Sequence, residues 1–213
     1  MALGPCCVPP GLWQDRRVSD LFNSPVLRVE QPRKGLFSKT QYKVLDGEGT
    51  LLAVGSEIKV RSRGESLKAV FPGKSEMDAR AVELATPEGE PLLHVDKAMG
   101  RMLTAVRRPD GEVIGSFRTE RVGRLYSLRD VDDKRFGEVV GDVPRRNFTV
   151  KDSDGNQVAH VQKKWAGVAT HLLTTADRYA VEISDPVPEP LRTMAVVTAI
   201  AMDLLLHESK DIT

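Results

Sequence analysis

The sequence predicts a mainly β protein: a closed antiparallel barrel of about twelve strands around one central C-terminal hydrophobic helix. Three observations lead there. From Leu191 to Leu206 the chain is apolar on every helical face, with only Arg192 and Asp203 charged. Before that segment, short runs of alternating apolar and polar residues recur between turn signals. Those runs number about twelve, mostly joined as consecutive hairpins, which would give a sheet large enough to close. A helix apolar all round must be enclosed by protein or by lipid. A barrel of that size has a lumen too wide for its own side chains to fill. The helix and the barrel therefore require each other.

The alternatives for the helix are weaker. About 16 residues at about 1.5 Å each span roughly 24 Å, short of the roughly 30 Å hydrocarbon core of a bilayer. Asp203 at a bilayer centre would cost about 2.5–3.5 kcal/mol. Packing against a single sheet would leave an apolar face in water. Met194, Val197, Ile200, Asp203 and Leu204 are taken as core positions of a helix over about 190–208. A buried Asp203 needs a partner. An Arg or Lys from a strand, backbone N–H groups, or protonation would supply it, and pairing is expected.

In chain order, residues 1–20 form a Pro-rich leader, expected to be poorly ordered. Residues 21–213 are expected to form one domain. Turns are predicted at Asp46-Gly47-Glu48-Gly49, Pro87-Glu88-Gly89, Pro109-Asp110-Gly111 and Asp152-Ser153-Asp154-Gly155-Asn156, with another at 130–134. Asp-Gly between apolar runs marks a hairpin because the turn needs positive φ. In the last strand Tyr179, Val181 and Ile183 share one face, and Ala180, Glu182 and Ser184 the other. Val82 with Leu84, Phe148 with Val150, and Ala159 with Val161 repeat the pattern.

The balance of 31 basic against 30 acidic residues gives no net attraction to nucleic acid, and none is expected as a partner. Basic pairs stand at Arg33-Lys34, Arg107-Arg108, Arg145-Arg146 and Lys163-Lys164. Cys6 and Cys7 are adjacent, a geometry too constrained for a sound disulfide. They suit a reducing compartment, or a lipidated leader. The leader lacks the charged and apolar regions of a signal peptide. His94, His160, His171 and His207 show no metal-ligand spacing. No nucleophile elbow or phosphate loop is present, so no catalytic residues are expected.

The strings Asn147-Phe148-Thr149-Val150-Lys151-Asp152-Ser153-Asp154-Gly155-Asn156 and Thr174-Thr175-Ala176-Asp177-Arg178-Tyr179-Ala180-Val181-Glu182-Ile183, then the apolar helix bearing Asp203, resemble the phospholipid scramblase and LURP-one-related group. Arg108-Pro109-Asp110-Gly111-Glu112-Val113-Ile114-Gly115 and Tyr42-Lys43-Val44-Leu45-Asp46-Gly47-Glu48-Gly49 also look like that group. The resemblance covers most of residues 36–208. It implies the tubby-like fold, a twelve-stranded barrel around a C-terminal helix.

The resemblance further implies a non-enzymatic, phospholipid- or membrane-associated regulatory module. It would be a monomer, cytoplasmic and peripheral at the inner face of the plasma membrane. Arg107, Arg108, Lys163 and Lys164 are the candidate lipid-headgroup residues. The stretch Asp177 to Asp185 matches the family's calcium segment in its first and last acids. Arg178 and Tyr179 depart from the pattern within it. Asp177, Glu182 and Asp185 are accordingly candidate weak calcium ligands, and no other cofactor is expected. The competing readings are a protein-interaction scaffold without a lipid role, and a barrel carrying a small ligand. The second conflicts with a lumen already filled by the helix.

Overall fold

The structure is a computed structural model. It describes residues 20–31, 41–58, 79–98, 102–164 and 177–206, with the side chains of Lys164 and Asp177 excepted. The leader with Cys6 and Cys7, the Arg33-Lys34 pair, and His171 and His207 lie outside the described residues.

Twelve antiparallel strands close into one barrel. They are β1 (Val26–Gln31), β2 (Gln41–Asp46), β3 (Leu51–Ile58), β4 (Arg80–Ala85), β5 (Pro91–Lys97), β6 (Leu103–Arg107), β7 (Val113–Arg121), β8 (Leu125–Arg129), β9 (Arg135–Gly141), β10 (Asn147–Asp152), β11 (Gln157–Lys164) and β12 (Asp177–Ile183). Each pairs with its neighbours in sequence, and β1 closes the ring on β12 through Val29 opposite Tyr179. Closure removes every sheet edge.

The helix α1 (Leu191–Leu206) runs through the lumen, and only Leu206 among its 16 residues escapes full burial. Met194, Val197 and Leu204 are 0% exposed, and Ile200 and Asp203 are 1% exposed. The strands supply the surrounding wall by alternation. Leu27 and Val29, Tyr42 and Val44, Leu93 and Val95, Phe148 and Val150, and Val181 and Ile183 all point inward onto one core. Burying each such side chain contributes about 1.5–3 kcal/mol. The predicted barrel and core helix are thus both present.

The start of α1 is fixed by polar groups. Glu189 Oε2 accepts from the Thr193 backbone N–H at 3.2 Å, serving one of the donors a helix leaves unpaired at its start. Arg192, 7% exposed, donates to the Phe22 carbonyl, to the Ser24 and Ser184 carbonyls, and to Asp185. It pins residues 20–25 against the barrel beside the helix.

Because the strands alternate in direction, the connections fall into two sets. At the end where α1 begins, five short turns join β2–β3, β4–β5, β6–β7, β8–β9 and β10–β11. All five share one construction. In the last, Gly155 N–H donates to the Asp152 carbonyl, Asp152 N–H to the Asn156 carbonyl, and Gly155 has φ +86°. Gly49, Gly89 and Gly111 repeat it, and Asp133 takes the glycine's place with φ 60°. Asp tolerates that conformation better than most residues. A bulge precedes each turn, as between Val150 and Lys151.

Candidate functional site: the barrel mouth at the helix C-terminus

The upper half of the lumen, around the last turns of α1, is polar. Asp203 accepts from Tyr42 Oη at 2.7 Å and from Tyr179 Oη at 2.9 Å. The sequence predicts pairing of this buried acid; two tyrosine hydroxyls, which the sequence did not single out, are among its partners. Gln31 Nε2 reaches the Tyr42 hydroxyl at 3.5 Å, and Lys163 Nζ reaches that of Tyr179 at 3.3 Å while lying 5.2 Å from its ring centroid. Burial, then the Asp203 charge and the hydrogen bond to it, push the Tyr42 phenol well above its ordinary pKa. Arg80 Nε bonds Glu57 Oε1 at 2.8 Å nearby. Burial opposes its charge, but Glu57, Tyr42 and Asp203 outweigh that and hold Arg80 above its usual range. Lys97 and Thr104, 1% and 0% exposed, stand opposite each other on β5 and β6 and line the same half.

Local geometry explains the convergence. Tyr42 and Tyr179 sit on the inward parity of β2 and β12, on either side of β1. Closure of the barrel places both against the face of α1 that carries Asp203.

Above this network lies a rim of hairpins. Arg121 ends β7, the β7–β8 turn after it carries Val122 and Arg124, and the β9–β10 turn carries Val143, Arg145 and Arg146. The two are neighbours: Gly141 N–H donates to the Arg124 carbonyl at 2.8 Å. The Arg145 side chain covers Gly123, where a Cβ would lie 2.5 Å from its Nε. On one side Thr119 N–H donates to the Met102 carbonyl, and on the other Lys163 N–H donates to that of Arg146. Met102, Leu103, Val122 and Val143 are 60%, 40%, 38% and 71% exposed. Four arginines and four exposed apolar residues thus form one continuous arc. Asp142, the acid of these two turns, braces its own turn: it accepts from Arg146 N–H at 2.7 Å and Asn147 Nδ2 at 2.6 Å.

The opposite end has the reverse charge. The five turns between its strands hold nine acids, from Glu48 to Asp154, and two bases, Arg108 and Lys134. Among the described turns, charge is therefore of opposite sign at the two ends of the barrel.

The residues singled out from sequence divide between these ends. Arg107 and Arg108 lie at the acidic end, paired to Asp96 at 3.2 Å and Glu112 at 2.9 Å. Lys163 and the backbone of Lys164 lie at the basic end, so the four do not converge. Asp177 starts β12 at the basic end and Asp185 follows its other end, beside Arg192 at 3.3 Å. Seven residues of strand separate those ends by roughly 20 Å. Glu182 is exposed on the outer face opposite His160. The structure does not bring the three acids together. Among the described residues no group of three or more His, Cys, Asp or Glu could hold a metal ion. His94 Nε2 lies 3.2 Å from Glu83 on the barrel wall.

The basic arc and the tyrosine pair were missed from sequence. Arg145-Arg146 was visible as a basic pair, and strand direction would have placed it. Odd strands end at the basic mouth and even strands at the acidic one, so β9 delivers Arg145-Arg146 upward and β6 delivers Arg107-Arg108 downward.

The family model described as Scramblase matches residues 93–209, more than half of the 213-residue chain. The chain belongs to the scramblase family. An X-ray structure of a protein from Arabidopsis thaliana is similar to this scramblase-family chain with a TM-score of 0.50 and 14% sequence identity. The likeness covers 85% of this chain and 91% of that one, and it shows a shared fold. No curated protein matches the sequence. No helix among the described residues of this scramblase-family member is long and apolar enough to cross a membrane.

Proposed function

We propose that this scramblase-family chain is a non-enzymatic module that docks peripherally on anionic phospholipid surfaces, through the rim at the C-terminal end of α1. The observation that carries this reading is the continuous arc of Arg121, Arg124, Arg145 and Arg146 interleaved with exposed Met102, Leu103, Val122 and Val143. Arginines beside an anionic leaflet contribute about 1 kcal/mol each, and apolar tips add burial at the headgroup boundary. The acidic opposite end is repelled by the same surface, which orients the barrel. With α1 filling the lumen, the lipid-facing surface is the outer rim rather than the interior. Lys163, half-buried and bonded to the Tyr179 hydroxyl at 3.3 Å, joins the rim to the Asp203 network.

Co-sedimentation with vesicles tests the reading. The chain is expected to bind phosphatidylserine-containing vesicles, to release at high salt, and to ignore neutral phosphatidylcholine vesicles. The triple variant Arg121→Glu, Arg124→Glu, Arg146→Glu is expected to lose binding while keeping its thermal melt. Equal binding to both vesicle types, or binding untouched by the charge reversals, would refute it.

A further inference from the structure

The acidic end holds a cleft of about 680 Å³, between the β4–β5 turn, the β6–β7 turn and the start of α1. That volume falls within the range of about 300–1,000 Å³ typical of binding pockets. Its floor is apolar: Phe22, Leu92 and Ile114 are half-buried against the core. Its rim is acidic, with Glu90, Asp110 and Glu189 all exposed. Arg108 also lines it, with its charge engaged by Glu112 at 2.9 Å. The walls are firmly set. The Asp110 carboxylate braces its turn through Glu112 N–H, Glu189 caps α1, and Arg192 anchors Phe22.

We infer that this cleft is a docking site for a basic peptide segment of a partner protein, one that places an apolar side chain on the floor between flanking cations. The inference is independent of the lipid reading and goes beyond it. Charge complementarity selects the occupant. The rim presents three carboxylates and the surrounding turns add more, so an anionic segment is repelled and a neutral one gains no charge pairing there. The apolar floor needs a side chain to cover it, which a bare polyamine lacks. A second copy of this chain would have to insert its basic rim, which in its described part spans two adjoining hairpins, into a recess between two turns. Such head-to-tail contacts would also propagate into rings or open filaments. The barrel then has two faces of opposite preference, an anionic surface at one end and a basic peptide at the other.

The probe is a fluorescein-labelled peptide with a Leu-Trp pair flanked on each side by arginines, followed by fluorescence anisotropy with the full chain. The expected result is saturable binding, weakened at least tenfold by the triple variant Glu90→Gln, Asp110→Asn, Glu189→Gln. Those amides keep an acceptor for the turn and the helix cap, so the fold is retained. Replacing Leu-Trp by Gly-Gly in the peptide is expected to weaken binding at least tenfold as well. No binding, or binding indifferent to either change, would overturn the inference. So would spermidine competing as effectively as unlabelled peptide. Self-association that rises with protein concentration and vanishes in the triple variant would assign the cleft to a second copy, and would overturn it too.

Discussion

The Tyr42 hydroxyl donates a 2.7 Å hydrogen bond to the Asp203 carboxylate, tying β2 to a helix residue 161 positions further along the chain. Tyr179 reaches the same carboxylate from β12. Wall and core are thus joined by a directional contact as well as by apolar packing. Such a contact fixes the rotation of α1 in a way that packing of similar side chains does not.

Tyr42→Phe removes a buried donor and keeps the ring. Asp203 then loses one hydrogen bond in a site water does not reach. The expected cost is about 1–3 kcal/mol by chemical denaturation. Tyr179→Phe is expected to cost a similar amount, and the double variant to depart from additivity because both act on one carboxylate. Changes within error of zero would show the network to be incidental.

Alkaline pH tests the same site from another side. The folded pKa of Tyr42 is raised, by burial first and then by Asp203. A raised folded pKa gives stability that is complete below the unfolded value, near 10, and is lost as pH rises through the folded one. Stability is therefore expected to fall above about pH 10, and less steeply in Tyr42→Phe. Ultraviolet difference spectra of the phenolate would follow this. A full tyrosine titration completed before unfolding would contradict it.

Turn carboxylates at both ends set the low-pH limit. Asp46 is held below the usual carboxylate range by the Thr50 N–H, and Asp152 by the Asn156 side chain. Burial raises Asp142, but hydrogen bonds from Asn147 and Arg146 outweigh it and lower the net value. Depressed folded values give stability that is present above the unfolded pKa, near 3.9, and lost as pH falls through the folded ones. Denaturation midpoints are expected to hold from neutrality to about pH 5 and to drop below about pH 4. Asp152→Asn should flatten part of that drop.

Two glycines on β9 allow close strand contact. A Cβ at Gly137 would lie 2.5 Å from the Lys151 carbonyl oxygen, and one at Gly141 equally close to that of Gly123. Backbone cannot yield as a side-chain tip does. Gly137→Ala is expected to cost more than Gly89→Ala, which meets open space and bears only the strain of φ +96°. Thermal melts of the two variants give the ranking, and the reverse order would be inconsistent with this packing.

The fold was legible because its signals are local. A helix apolar on all faces states that it is enclosed, and Pro87-Glu88-Gly89 or Asp154-Gly155 states where a strand reverses. The site was not, because its parts meet only on closure. Tyr42 reads as an ordinary strand residue until β1 brings β2 beside β12. Arg107-Arg108 and Lys163-Lys164 look alike as pairs, yet strand direction sends them to opposite ends. Asp177 and Asp185 look close in sequence, but an extended strand holds them apart.

The orientation of the barrel on lipid is measured most directly with a single reporter at each end. Val143 and Val131 are both exposed valines in turns, 71% and 67%, at the basic and acidic ends respectively. With Cys6 and Cys7 replaced by Ser, an environment-sensitive fluorophore is attached through Val143→Cys or Val131→Cys. On adding phosphatidylserine vesicles, the label at position 143 is expected to shift to the blue and to be quenched by spin-labelled lipid, while the label at position 131 stays unchanged. Equal responses at both positions, or a response at 131 alone, would contradict docking through the helix C-terminal rim.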